Sequence, residues 1–171
     1  VIIFLDFSQD GTTLATGSNN EVRLWDTNSG KSIFELSSLK INNLNGAALS
    51  PDGSKLAVHT PNGLRVWDTK TKERLDGYDA NFGVSRKKKA RILAAKFGDP
   101  DPPDECTPIA FSPDGRLLVH FYDGQLMIWE TVSGKVRHLI EHTELCTIAF
   151  SRDGKLLATG SGDSTARLWD V

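Results

Sequence analysis

Four copies of one pattern divide this 171-residue chain and constrain its fold more than any single residue does. Each copy contains an Asp-Gly pair, and a tryptophan follows that Asp after fifteen residues in the first three copies and sixteen in the fourth. Such self-similarity indicates a repeat architecture in which each copy is one structural unit. The Asp-Gly pairs are Asp10-Gly11, Asp52-Gly53, Asp114-Gly115 and Asp153-Gly154, and the tryptophans with the acidic residues after them are Trp25-Asp26, Trp67-Asp68, Trp129-Glu130 and Trp169-Asp170.

Each copy predicts short β-strands joined by tight turns. The Asp-Gly pair follows a serine, as in Ser50-Pro51-Asp52-Gly53, and these are residues that a type I turn prefers. The next run, Leu56-Ala57-Val58 in the second copy, is apolar without alternation, as expected of a strand covered on both faces. The third strand alternates, and in three copies it places an arginine two residues before the tryptophan, where a cation–π contact is possible. A more polar fourth strand follows in the first three copies only.

These copies resemble WD repeats, and the resemblance covers nearly the whole chain apart from one insertion. It implies an all-β fold, a WD-repeat β-propeller segment of four consecutive antiparallel four-stranded blades, with the last blade incomplete. We expect the blades at about residues 1–40, 41–76, 106–141 and 142–171, with the insertion at 77–105. Successive Asp-Gly pairs lie 42, 62 and 39 residues apart, so the long step marks the insertion. Propellers typically close with four to eight blades, usually with one terminus completing the sheet of the other, and this stretch opens directly on an innermost strand. We therefore expect it to belong to a larger propeller, by resemblance one of seven blades.

The resemblance also implies a structural hydrogen-bond network in the fourth copy. It assigns to this network His142 before the innermost strand, Thr159 on the second, Asp163 in the following turn and Trp169 on the third. Such a network would satisfy the buried indole N–H and fix the turns. The third copy departs from the pattern, because His120 stands where the threonine belongs. Catalysis by His142 and Asp163 would need a nucleophile within reach, so we expect a structural role and no catalytic residue.

Other chemistry is poorly supported by the sequence. The four histidines and two cysteines have no metal-ligand spacing, and no phosphate-binding loop is present, so we expect no metal, cofactor or small-molecule substrate. Cys106 and Cys146 lie near the start of matching strands. We expect both to be small buried side chains in a reducing compartment.

The insertion contains a basic run formed by Arg86, Lys87, Lys88, Lys89 and Arg91, with an acidic, proline-rich stretch at 99–105. Three interpretations are open: a solvated loop balanced by its own acidic half, a nuclear-import signal, or a contact with a charged partner. A formal net charge of −2 gives no overall field toward nucleic acid or membrane. The absence of interleaved aromatic residues also disfavours nucleic acid.

These observations favour a non-catalytic protein–protein interaction scaffold. We expect its partners to be other proteins, bound by the loops between second and third strands, by the insertion and by residues 141–144. The alternative is a sensing or regulatory repeat region of a nucleotide-hydrolysing signalling protein whose catalytic domain lies outside this stretch. We expect a cytoplasmic protein, with the nucleus as the alternative, because no apolar segment approaches the length of a membrane span.

Overall fold

The computed structural model describes residues 2–18, 21–36, 44–60, 63–75, 108–122, 124–142 and 144–171. The regular elements of these ranges are β-strands, arranged in four antiparallel sheets. Within the same ranges, no helix has the length and apolar character needed to cross a membrane. The prediction of an all-β fold is confirmed.

In each sheet the strands lie side by side in chain order, and we call each sheet a blade. The first blade contains β1 (Ile2–Phe7), β2 (Thr13–Ser18), β3 (Glu21–Asp26) and β4 (Ser32–Glu35). The second contains β5 (Gly46–Leu49), β6 (Lys55–Thr60), β7 (Gly63–Asp68) and β8 (Arg74–Leu75). The third contains β9 (Ile109–Phe111), β10 (Leu117–Tyr122), β11 (Gln125–Glu130) and β12 (Lys135–Glu141). The fourth contains β13 (Leu145–Phe150), β14 (Leu156–Ser161) and β15 (Ala166–Asp170).

The same strand register recurs in every blade, so the blades can be compared position by position. In each one, a leucine of the second strand pairs with the tryptophan of the third. The four pairs are Leu14 with Trp25, Leu56 with Trp67, Leu118 with Trp129 and Leu157 with Trp169. This equivalence confirms the repeat that the tryptophan spacing predicts.

The Asp-Gly turns have one geometry throughout. In the second blade, the Ser50 hydroxyl donates to Asp52 Oδ1 at 2.6 Å and accepts the Lys55 N–H at 2.8 Å. The Gly53 N–H donates to the Ser50 carbonyl at 2.8 Å, and Gly53 has a φ of 68°, which a side chain would oppose. The serine–aspartate bond is also 2.6 Å in the other three blades, where it joins Ser8 to Asp10, Ser112 to Asp114 and Ser151 to Asp153.

The threonine that follows the acidic residue ties each of the first three blades together at the same edge. Its hydroxyl donates to the carbonyl of the turn glycine at 2.7 Å in each case: Thr27 to Gly11, Thr69 to Gly53 and Thr131 to Gly115. We call this side of the blades the DG edge. The opposite side, where the chain enters each innermost strand, is the entry edge.

Each blade has two packing faces. On the third strand, Leu24, Val66 and Ile128 point toward the next blade along the chain, and Leu168 occupies the equivalent position of the last described blade; we call this the following face. The tryptophans point the other way, on the preceding face. Three buried clusters lie between successive blades, and each combines the following face of one blade with the preceding face of the next, as Val66 does with Trp129. We call each such packed boundary a seam.

The expected burial of Cys146 is wrong, because its side chain is exposed. The pairing of β13 with β14 shifts register between Leu145 and Thr147, so Cys146 lies at an irregularity of the strand. Its thiol donates to the Glu144 carbonyl oxygen, with Sγ and O 3.3 Å apart. Cys106 lies outside the described residues.

Candidate interaction edge and internal network

The entry edge is organised by backbone hydrogen bonds that join the incoming chain to the end of a blade. Asn45 N–H donates to the His59 carbonyl at 3.0 Å, and Phe121 N–H donates to the Pro108 carbonyl at 3.0 Å. In the fourth blade, Gly162 N–H donates to the Glu144 carbonyl at 2.8 Å. These bonds place the incoming segments and the turns between second and third strands along the same edge. Pro108 also shows that the chain leaving the insertion rejoins a blade here.

The turn between β14 and β15 is the best-defined part of this edge. Asp163 Oδ1 accepts the Thr165 N–H at 2.8 Å and the Thr165 hydroxyl at 2.6 Å. The Ser161 N–H donates to the Thr165 carbonyl at 3.0 Å, which closes the turn. The Thr165 hydroxyl, followed by the other bonds of the turn, lowers the pKa of Asp163, so this exposed carboxylate stays ionised well below neutral pH.

Two non-glycine residues beside this turn have positive φ angles, 52° at Glu144 and 69° at Ser164. Residues other than glycine are uncommon at positive φ, and backbone strain of this kind is concentrated at functional sites. A side chain at Gly162 would approach Glu144 Oε2 to 3.3 Å, so glycine leaves the space that the bent segment needs. The fourth blade therefore presents an exposed acidic ridge, formed by Glu144 and Asp163, in which Arg167 lies 3.9 Å from the Asp163 carboxylate.

The predicted network of the fourth blade is seen here in part. The Trp169 indole donates to the Thr159 hydroxyl at 3.0 Å. His142 is buried and lies edge-on to Trp169, with 6.4 Å between ring centroids. The hydrogen bonds that Asp163 accepts come from its own turn. The four-residue network as a whole stays a prediction.

The indole environment differs between blades. The first blade repeats the bond of the fourth, because Trp25 donates to the Thr16 hydroxyl at 2.9 Å. The equivalent positions in the second and third blades are Val58 and His120. In the first blade, Arg23 also lies over Trp25, with its guanidinium carbon 5.9 Å from the ring centroid, as the spacing of two residues allows.

A cluster of buried aromatic side chains was not anticipated from the sequence. His59 and His120, 61 residues apart in sequence, meet between the second and third blades with their ring centroids 4.4 Å apart. His59 is on the following face of β6 and His120 on the preceding face of β10. The sequence signal that could have located this cluster is strand alternation, which assigns each histidine to one face of its strand. At the positions equivalent to these two histidines, the other blades have Gly, Phe, Val or Thr.

Several predicted site residues lie outside the described residues. These are the basic run of Arg86, Lys87, Lys88, Lys89 and Arg91 and the rest of the insertion, together with parts of the loops between second and third strands, at 19–20, 61–62 and 123. Among the residues that are described, no three His, Cys, Asp or Glu side chains are grouped to hold a metal ion.

Comparison with known proteins points in the same direction as the geometry. A family model described as WD domain, G-beta repeat matches residues 2–26 and 133–170. A guanine nucleotide-binding protein subunit beta from Schizosaccharomyces pombe is 36% identical over 63 residues, covering 36% of this chain and 21% of the relative. A subunit beta-1 from Nicotiana tabacum is 30% identical over 101 residues, covering 55% of this chain and 26% of the relative. The chain thus spans about a quarter of the length of these relatives.

A further relative has a different printed name. Periodic tryptophan protein 2 from Saccharomyces cerevisiae is 29% identical over 79 residues, which cover 40% of this chain and 9% of the relative. The relatives therefore have more than one printed name, and the similarity alone does not point to one of them.

Proposed function

Because this chain belongs to the WD-repeat family, we propose that it is a segment of a larger propeller that works as a non-catalytic scaffold and binds other proteins. The observation that carries this proposal is the equivalence of the four blades. One register, one Asp-Gly turn and one packing arrangement recur, so the chain forms a rigid stack whose variable parts are its edges. In repeat architectures of this kind, loops on one side of the stack commonly form the binding surface.

The outer faces of the stack support a larger propeller. On the third strand, Leu24 is 0% exposed, whereas Leu168 at the equivalent position of the fourth blade is 65% exposed. On the innermost strand, Phe7 of the first blade is 57% exposed, whereas the equivalent Leu49 is 4% exposed. An exposed apolar face with the same composition as a buried one favours a further blade packed on each side.

We assign partner binding to the entry edge. The described part of that edge carries the acidic ridge of Glu144 and Asp163, and its backbone is held by the bonds of the 161–165 turn. The insertion at 77–105 rejoins the blades at Pro108, on the same edge, so its basic run would add to this surface. A protein partner would then meet charges of both signs on one side of the propeller.

The test is a quantitative capture experiment with two matched triple variants. One changes Lys87, Lys88 and Lys89 to alanine in the insertion, and the other changes Lys31, Lys70 and Lys135 to alanine in the outer turns. Both remove three positive charges, so overall charge effects cancel. We expect a partner identified with the native chain to be retained by the outer-turn variant and weakened at least about tenfold by the insertion variant, the scale of one lost charged hydrogen bond or more.

Two outcomes would contradict this proposal. Equal binding by both variants and by a Glu144→Lys variant would place the contact away from the entry edge. Binding that disappears on nuclease treatment and weakens steeply with salt would instead indicate nucleic acid.

The second candidate, a regulatory region of a nucleotide-hydrolysing signalling protein, is favoured by one observation. Several relatives are, by their printed names, beta subunits of guanine nucleotide-binding proteins. The test is nucleotide hydrolysis by a longer protein that contains this stretch. Activity that is lost when the segments outside these repeats are removed, and kept when residues 1–171 are removed, would favour this candidate over the scaffold alone.

A further inference from the structure

The seam between the second and third blades contains two histidines in an apolar setting. His59 is 0% exposed and His120 is 1% exposed, and their rings meet at 4.4 Å with an interplanar angle of 61°. Within the part of the chain that the structure describes, none of the four ring nitrogens of this pair has a hydrogen-bond partner. Tyr122 packs against both rings, at 5.2 Å from His59 and 6.1 Å from His120. Buried polar groups are almost always hydrogen-bonded, so this pair is an exception that requires a reason.

Among the described residues, no acidic side chain lies beside the pair to compensate a positive charge. The residues that line the seam are Ala57, Leu64, Val66, Leu118, Met127 and Trp129. By strand alternation, the charged side chains on the two facing sheets are Lys55 and Asp68, which lie toward the DG edge, and Glu141, which is exposed on the outer strand β12. Among the described residues, the titratable side chain that packs against both rings is Tyr122.

The geometry also argues against a metal between the two rings. Two imidazoles on one tetrahedral ion bind at an angle, so metal–nitrogen bonds of about 2.0–2.1 Å hold their ring centroids roughly 5 Å apart. The centroids of His59 and His120 are closer than that, at 4.4 Å, and no third ligand is grouped with them among the described residues. The pair is therefore two imidazoles in direct contact, and burial favours the neutral form of both.

We propose that the His59–His120 pair is an acid-sensitive latch: with both rings neutral the second and third blades pack together, and protonation of either ring loosens that seam. Protonation would place an uncompensated cation in the apolar cluster, beside a second ring that it repels once both are charged. This proposal is independent of which partner the entry edge binds.

The direction of the pH effect follows from the pKa values. Burial lowers the pKa of His59 to about 4, and burial together with the neighbouring His59 lowers the pKa of His120 well below its ordinary value. In the unfolded chain both rings bind a proton near pH 6.5. The unfolded state therefore binds more protons than the native state below that pH, and stability falls as the pH drops from about 6.5 to about 4.

The test compares the native chain with replacements taken from its own neighbouring blades. His59→Phe introduces the residue that the third blade has at Phe121, and His120→Val introduces the residue that the second blade has at Val58. Urea unfolding would be measured at pH 7.5 and pH 5.0. As the pH falls from 7.5 to 5.0, we expect the unfolding equilibrium constant of the native chain to rise by a factor about thirty times larger than that of the His59→Phe variant. This figure counts the protonation of His59 only.

A second measurement does not depend on the variants folding. The ring C–H resonances of the four histidines, followed by NMR between pH 7.5 and 4, report protonation directly in the native chain. We expect two histidines to stay neutral until the seam opens, and the amides of β6 and β10 to lose protection before those of β2. Titration of all four rings near pH 6.5 in the folded chain would overturn the latch, as would equal pH dependence in native and variant chains.

Discussion

The seams and the outer faces of the stack are built from the same sequence pattern but lie in opposite environments. On the following face, Leu24, Val66 and Ile128 are all covered by the next blade, whereas Leu168 at the same position is exposed. On the preceding face, Trp67 and Trp129 are buried, whereas Trp25, with no described blade before it, and Trp169, in a blade of three strands, are only partly buried. The Asp-Gly turns, in contrast, are alike in all four blades.

This comparison separates the structural features that one repeat forms by itself from those that require a neighbouring repeat. The Asp-Gly turn is made of bonds within one blade, so it forms with equal geometry at either end of the stack. Burial of an apolar side chain on a blade face requires a second blade, so it follows position in the stack and not residue type. Substitutions in seams should therefore cost far more than the same substitutions on outer faces, and turn substitutions should cost the same everywhere.

The largest contrast is expected for the tryptophans. Trp129→Ala removes a buried indole from the seam between the second and third blades and should destabilise the fold by about 3–5 kcal/mol. Trp25→Ala removes a partly exposed indole and its contacts with Thr16 and Arg23, and should cost about half as much or less. Urea unfolding of the two variants gives both values, and equal losses would break the comparison.

The leucines give a smaller contrast without a polar group. Leu24→Ala should cost about 2–5 kcal/mol, because the side chain is fully buried between the first and second blades. Leu168→Ala should change stability by no more than about 0.5 kcal/mol, because it is a surface substitution in this chain. A cost for Leu168→Ala close to that of Leu24→Ala would show that the face is covered, by another molecule or by a different arrangement of blades.

The contribution of the Asp-Gly turns to the pH dependence of stability should be the same in inner and outer blades. Burial alone would raise the pKa of Asp52, but the hydroxyls of Ser50 and Ser54 outweigh it and lower the pKa to about 2. A depressed carboxyl pKa stabilises the native state above the unfolded value and loses that contribution as the pH falls from about 4 to about 2. Because this carboxylate is screened by solvent, the loss should stay under about 1 kcal/mol.

Asp52→Asn and Asp153→Asn test this equality, since one turn lies in an inner blade and the other in the last. The Ser151 hydroxyl lowers the pKa of Asp153 as well, so both changes should reduce the pH dependence of unfolding between pH 5 and 2 in the same direction. An effect at Asp52 alone would mean that the turns, too, depend on their neighbours.

The smallest effect concerns a turn that departs from its counterparts. Lys72 has a φ of 62°, where the first and third blades have Gly30 and Gly134. Lys72→Gly should remove the cost of the positive φ, and this gain should outweigh the extra conformational entropy that glycine loses on folding. The net stabilisation should be about 0.5–1 kcal/mol. The matched control is Lys70→Gly in the same turn, which should be neutral or destabilising. Destabilisation by Lys72→Gly would show that the lysine side chain makes a contact of its own.

The sequence predicts the parts of this molecule that depend on short-range order. Ser50, Asp52 and Gly53 lie within four residues of one another, and their turn is the one expected from turn chemistry. The alternation of Arg23 and Trp25 likewise places two side chains on one face without reference to the rest of the fold. The four tryptophan spacings then predict the four sheets of the described residues.

The sequence predicts less where two blades meet. His59 and His120 were each recognisable, but their contact depends on which face of β6 packs on which face of β10. Cys146 was expected to be buried because Ile148 and Phe150 follow it, and a register shift exposes it instead. The predicted network of His142, Thr159, Asp163 and Trp169 contains links of two kinds. The Thr159–Trp169 bond joins two paired strands. The predicted links to His142 and Asp163 depend on where two loops lie.

The most direct test of the central claim is thiol labelling at the four equivalent positions of the following face. In a chain in which both native cysteines are replaced, Leu24→Cys, Val66→Cys, Ile128→Cys and Leu168→Cys would be prepared singly, and their reaction with a small thiol reagent would be timed under native conditions. We expect the thiol at position 168 to react at the rate of an exposed cysteine and the other three to react only through opening of the fold. Similar rates at all four positions would contradict the stacked-blade account.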